Sequence, residues 1–289
     1  MIVSITSQVD LKIMIHKVRQ NLFWILTPSI LLQAGIVQAA NIVVDNFNLP
    51  SLTDTPPSQL VQANPGQTPF SEMPDLPLGS PGYPSSQVLG GYRDLFLTNV
   101  TGNMPTQSAR GVVGAGILNY ANDAAIGSEL RITWDGQDKS SAVNTSGLGG
   151  INLSQNGVLD ALAANFTFAD KDLSAMFTIW DMAGNQSSAT YTFPSGISSS
   201  QPVYFAYTQE EFDKIIGSNK ALFSSGVDFT NVGAIQLSLK SASNQVALDA
   251  TVDGIESADV VGELPEPTSI LALVGAAVLG AISRKQKDD

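Results

Sequence analysis

An all-β fold, a single antiparallel β-sandwich, is what the sequence predicts, and three observations carry the prediction. Residues 87–256 run in short β-compatible stretches separated by Gly, Asn, Asp and Ser clusters. Several stretches alternate strictly between apolar and polar residues, the period of a strand with one face on a core. No second apolar segregation interrupts the run, so its roughly ten strands belong to one sandwich.

The elements follow in chain order. Lys17 and Arg19 precede an apolar run at 22–37 and the small residues Ala39 and Ala40, so residues 1–40 read as a secretory signal peptide. The cations stay cytoplasmic, the apolar stretch inserts as a helix, and the small residues admit signal peptidase after Ala39 or Ala40. Met14 is an alternative start, since the segment before it only adds Asp10 to the basic region. A retained anchor is the competing reading, but Pro28 interrupts the run and the run is short for a span. Residues 41–47, with Ile42-Val43-Val44-Asp45-Asn46-Phe47, form a first strand that must pair downstream. Residues 48–86 hold nine of the fifteen prolines among Ser, Gln and Gly, and read as a loop or linker.

The sandwich proper then covers 87–256, with strands at 92–100, 111–120, 161–169 and 203–207. In 129–134, Leu130, Ile132 and Trp134 share one face. A hairpin through 181–185 joins Ala175, Phe177 and Ile179 to Ala189, Tyr191 and Phe193. Ile235, Leu237 and Leu239 face a core, as do Val246, Leu248, Ala250 and Val252, with Asp249, Thr251 and Asp253 opposite. One short helix interrupts the strands at 208–217, opened by a Thr208–Glu211 capping box and stopped at Gly217. Residues 257–263 form a linker. The topology expected is jelly-roll-like. Through Asp45-Asn46-Phe47, Gly90-Gly91-Tyr92-Arg93-Asp94, Asp228-Phe229-Thr230-Asn231-Val232 and the acidic last strand, the order of elements resembles the galactose-binding-like jelly rolls of bacterial surface proteins and carbohydrate-binding modules.

Composition removes several function classes. The 289 residues include 14 Lys and Arg against 26 Asp and Glu, a formal charge of −12, with one His and no Cys. Disulfides, thiolate metal sites and cysteine nucleophiles are therefore excluded. The single histidine, His16, lies in the segment to be removed, which also excludes Ser-His-Asp machinery and imidazole zinc sites from the exported chain. Residues 41–266 alone carry 8 Lys and Arg against 23 Asp and Glu, a charge of −15. Such a chain repels nucleic acid, so none is expected as partner, and it suits oxygen-ligated ions such as calcium. No phosphate loop or dinucleotide fingerprint is present.

The candidate sites are few. If the first and last strands are neighbours, Asp45 with Asp249 or Asp253 could hold a structural calcium ion; solvated strand-face acids are the alternative. Sugar binding needs exposed aromatic faces with polar neighbours. Trp134 and Trp180 each end a strand and precede an Asp, Asp135 and Asp181. Trp134 is in phase with core residues, which makes Trp180, with Asp181, the better ligand-binding candidate; Tyr92, Tyr120 and Tyr207 rank below both. Asp135-Gly136-Gln137-Asp138 reads as a turn, Arg93 and Asp94 as a buried ion pair, and Asp170-Lys171-Asp172 as a loop charge cluster. No catalytic carboxylate pair stands out.

At the far end, residues 264–289 contain Pro265-Glu266-Pro267, an apolar stretch at 270–282, then Arg284, Lys285 and Lys287. This segment resembles the PEP-CTERM sorting domain, in which a Pro-Glu-Pro motif precedes a short transmembrane helix and a basic tail. The two prolines keep the chain extended for a processing enzyme, and the cations hold the end inside. At about 1.5 Å per residue the stretch spans roughly 20 Å, short for a permanent anchor. The resemblance implies recognition by an exosortase, a transient inner-membrane intermediate, and export to the cell envelope or extracellular matrix of a bacterium that makes exopolysaccharide. The expected function is a non-enzymatic surface or matrix protein that associates with exopolysaccharide. A purely structural or adhesive matrix protein and a polysaccharide-active enzyme are the alternatives.

Overall fold

The structure is a computed structural model and describes residues 40–47, 58–74, 88–241 and 247–260. Among these residues lie fourteen strands: β1 Ile42–Asp45, β2 Gln59–Ala63, β3 Phe70–Pro74, β4 Tyr92–Thr101, β5 Ala109–Gly114, β6 Ile117–Asn122, β7 Gly127–Trp134, β8 Ala161–Ala169, β9 Leu173–Asp181, β10 Gln186–Thr192, β11 Gln201–Ala206, β12 Lys220–Leu222, β13 Val232–Ser241 and β14 Leu248–Ala258. A single α-helix, α1 Gln209–Lys214, separates β11 from β12.

The strands form two sheets, as expected of an all-β sandwich. The larger runs β12-β11-β8-β14-β6-β5-β2, with β1 also on β14; the smaller runs β10-β9-β13-β7-β4-β3. Every pairing is antiparallel except β11 with β12. Alternation explains the layering. Leu95, Leu97, Leu130, Ile132, Phe177, Ile179, Leu237 and Leu239 bury one face of the smaller sheet against Leu118, Tyr120, Phe166, Phe205 and Val252 of the larger. Phe177 and Phe205 meet edge to face between the sheets, with ring centroids 4.7 Å apart.

A charged network crosses the same interface. Asp45 of β1 is fully buried and accepts hydrogen bonds from the Arg93 guanidinium of β4, from the Trp134 indole nitrogen at 2.8 Å and from the Phe47 amide at 2.7 Å. The last bond holds Phe47 in the left-handed region, at φ 54°, with the Arg93 guanidinium carbon 5.5 Å from its ring centre.

Three expected boundaries change. Residues 48–86 are not all loop, because β2 and β3 lie within them. Val61 and Ala63 reach the core while Leu60 stays 52% exposed, and Pro65 and Pro69 fall outside the strands. The expected strand 111–120 is a hairpin, β5 and β6, turning at Ala115 and Gly116 with φ 53° and 82°. The last strand extends to Ala258, past the expected linker start. The helix has the expected capping box: the Glu211 amide donates to Thr208 Oγ1 at 3.3 Å and the Thr208 amide to Glu211 Oε2 at 2.8 Å. It ends at Lys214, before Gly217.

Candidate functional site

The outer face of the larger sheet carries a groove of about 720 Å³ across β1, β14, β8 and β11. Its origin lies in side-chain size. Pairing places Tyr204 opposite Ala163, Ala163 opposite Glu256, and Glu256 opposite Val43, all on one face. In the next row Pro202 stands opposite Asn165 and Asn165 opposite Gly254. Alanine and glycine make the floor low at Ala163 and Gly254, whereas Tyr204 on one side and Val43 on the other rise as walls. A volume of this size suits a small-molecule or oligomer subsite.

The groove's chemistry is oxygen-rich. Asn41, Asn165, Asp253 and Glu256 line it beside Tyr204. The Asn165 side-chain amide donates to Asp253 Oδ1 at 2.5 Å and its carbonyl accepts from Ser200 Oγ at 3.0 Å, which locks that part of the rim. Tyr204 is half-buried and packs against the small cluster of Ala161, Ala206 and Ile215. Burial, and then the Glu256 carboxylate, push its hydroxyl pKa up, so the phenol remains a hydrogen-bond donor. Carboxylates and amides that accept hydroxyl hydrogen bonds, next to an aromatic ring, form the kind of surface a saccharide occupies.

The residues predicted from sequence fall elsewhere. Trp134 is fully buried and donates to Asp45, so it is core and cannot stack on a ligand. Asp181 is a turn anchor: its two oxygens accept from the amides of Ala183, Asn185 and Asp228 and from the Asn185 side chain. Burial alone would raise its pKa, but these hydrogen bonds hold it below the usual carboxylate range. Trp180 does turn outward, half-buried between Gln186 and Ala234 on the smaller sheet. Tyr120 and Tyr207 are buried, their hydroxyls bonded to Ser128 and Ser257. Tyr92 is half-buried.

The expected calcium set does not assemble. β1 and β14 are neighbours, but Asp45 points into the core and is consumed by Arg93, whereas Asp249 and Asp253 lie on the outer face. Those two are four residues apart along one strand, about 13 Å. Asp253 is held by Asn165, and Asp249 lies in a separate polar hollow of about 440 Å³ with Gln62, Arg110 and Asp123. Arg93 pairs with Asp45 and not with Asp94. Asp170 accepts from the Asp249 amide at 2.8 Å, a loop role as expected.

Tyr204 and Asn165 were legible in principle. Val203 and Phe205 as core residues force Tyr204 outward, and the same alternation in Ala161–Ala169 exposes Asn165. Residues 1–39 of the expected signal peptide, the motif Pro265-Glu266-Pro267 and the tail Arg284, Lys285 and Lys287 lie outside the described residues. Among the described residues no helix is long and apolar enough to cross a membrane.

No protein-family model matches the chain, and no curated protein matches it significantly. Low-scoring likenesses to solved structures do occur. PfGH50B matches at TM-score 0.33 and 12% identity, over 50% of this chain and 20% of that one. An agarase, AgWH50C, matches at TM-score 0.36 and 12% identity, over 65% of this chain and 24% of that one. The family 11 carbohydrate-binding module from Clostridium thermocellum, in complex with a β-1,3-1,4-mixed-linked tetrasaccharide, matches at TM-score 0.30 and 11% identity, over 77% of this chain and 98% of that one. The chain spans about a quarter or less of the first two. Likenesses of this strength define neither a family nor a function for it.

Proposed function

We propose that this chain is an exported, non-enzymatic surface or matrix protein whose jelly-roll-like sandwich associates with exopolysaccharide through the groove beside Tyr204. Signal peptidase removes residues 1–40, and an exosortase recognises Pro265-Glu266-Pro267 while the apolar stretch and Arg284, Lys285 and Lys287 hold an inner-membrane intermediate. The observation that carries the binding reading is the groove itself: an open floor of Ala163 and Gly254, an aromatic wall, and Asp253, Glu256 and Asn165 on the rim. Open grooves of this kind admit a polymer along their length and need no enclosed catalytic cavity.

Retention of the full-length chain on the exopolysaccharide of its host tests the reading. Tyr204→Ala is expected to lower retention at least about fivefold, since truncating a central aromatic anchor costs roughly 1–3 kcal/mol at such sites. Retention unchanged in Tyr204→Ala would remove the groove from the account. The outward indole of Trp180 supports a second reading, with the saccharide on the smaller sheet; Trp180→Ala would then abolish retention while Tyr204→Ala would not. The sorting reading has its own test: Glu266→Ala is expected to leave an unprocessed, membrane-held chain, and normal release would overturn it.

A further inference from the structure

On the smaller sheet, outside the groove, three carboxylates converge, with a fourth, Asp135, beside them. β3 and β4 pair Glu72 directly opposite Asp94, and β7 pairs Thr133 opposite Asp94 from the other side. Asp135 follows two residues after Thr133 on the same outer face, and the turn beyond it brings back Asp138. Carboxylate oxygens of Glu72, Asp94 and Asp138 lie within 4.8 Å of one another.

The cluster is held from outside, not neutralised from within. Glu72 Oε2 accepts from the amides of Asp138 at 3.0 Å and Lys139 at 2.6 Å. Asp138 Oδ1 accepts from the Ser140 amide at 2.8 Å, and Asp135 Oδ2 from the Asn144 amide at 2.7 Å. These bonds aim the acids together. Asp94 and Asp135 are only 3% and 1% exposed, yet Oδ1 of each is buried with no hydrogen-bond partner. Such orphaned acceptors cost free energy unless something completes them. Burial, then the Asp135, Glu72 and Asp138 carboxylates, raise the Asp94 pKa to about 8; burial, with Asp138 and Glu72, raises Asp135 to about 6.

We infer that Glu72, Asp94 and Asp138 bind a calcium ion that ties the turn after β7 to β3 and β4. The donor set is all oxygen, which selects a hard cation. Oxygens held at about 2.3–2.6 Å from one calcium ion lie at most roughly 4.6–5.2 Å apart, so three carboxylate oxygens within 4.8 Å of one another can share an ion. Three carboxylates suit calcium, since magnesium keeps several waters and binds through one or two carboxylates. The ion supplies the positive charge that the acids lack and completes the orphaned oxygen of Asp94. Backbone and water oxygens fill the remaining positions.

The site is separate from the saccharide groove, so the two readings succeed or fail independently. Calorimetric titration of chelator-treated full-length protein with calcium chloride is expected to give one site per chain, and saturating calcium to raise Tm by about 5–10 °C. Asp94→Asn is expected to weaken calcium binding more than tenfold and to keep or raise the calcium-free Tm, because it removes the cost of keeping on folded Asp94 a proton that the unfolded chain releases. Asp249→Asn, in the hollow on the other sheet, leaves the calcium response unchanged. No heat and no shift with folded wild-type protein would overturn the assignment, as would an equal response to magnesium or an undiminished response in Asp94→Asn.

Discussion

Replacing Asp45 by alanine removes the acceptor at the centre of the inter-sheet network and strands two donors. Arg93 is 1% exposed and Trp134 fully buried, so neither can turn to water without opening the core. Removing one partner of a buried ion pair costs about 3–5 kcal/mol, and an orphaned buried donor about 1–3 kcal/mol. The two donors share one acceptor and relax together, so these costs do not add in full. We expect a loss of about 4–5 kcal/mol, or roughly 10–15 °C in Tm at the 2–4 °C per kcal/mol of a domain this size. Urea unfolding followed by tryptophan fluorescence measures it, with Trp134 as a probe inside the network. Because a buried charge without its partner is the main cost, Asp45→Ala/Arg93→Met should be more stable than Asp45→Ala alone. A loss below about 1 kcal/mol in the single variant, or a double variant no better than the single, would refute this reasoning.

Further predictions concern the turn after β7 and the acids around it. An ideal Cβ on Gly147 would lie 1.5 Å from the Asp135 carbonyl oxygen, so Gly147→Ala forces the turn open and should cost about 3 kcal/mol in unfolding free energy. Asp94 has a folded pKa of about 8 against an ordinary 3.8. The folded state therefore holds a proton that the unfolded state releases, and calcium-free stability should fall as pH rises from about 4 to about 8. Asp94→Asn should flatten that fall in a series of thermal melts, and saturating calcium should reverse it above neutral pH. Fluorescence should separate the tryptophans: acrylamide quenches the emission lost in Trp180→Phe more strongly than that lost in Trp134→Phe.

Much of the architecture could be read from side-chain period alone. Leu130, Ile132 and Trp134, or Ile235, Leu237 and Leu239, leave no doubt about which face is buried, and the structure places all six in the core. β2 and β3 were hidden because short strands at the sheet edges carry little apolar signal; β2 buries only Val61 and Ala63 beside the polar Gln59. Proline density outweighed that signal. The site was less legible. A groove arises from what is missing at Ala163 and Gly254, and no local pattern reports that Val43, Ala163, Tyr204 and Glu256, far apart in the chain, will lie side by side. The acidic cluster has the same character: Glu72, Asp94 and Asp138 come from a presumed linker, a presumed ion pair and a presumed turn, and only strand register joins them. Asp45 shows the converse, since its proximity to the last strand was foreseen but the inward turn of its side chain was not.

Saccharide binding by the outer face of the larger sheet, as proposed, depends on Tyr204. The most direct measurement is retention of full-length wild type, Tyr204→Ala and Trp180→Ala on the host exopolysaccharide, with each variant's Tm taken in parallel. Wild type and Trp180→Ala should be retained while Tyr204→Ala elutes freely with its Tm intact. Equal retention of wild type and Tyr204→Ala, or no retention of folded wild type, would contradict it.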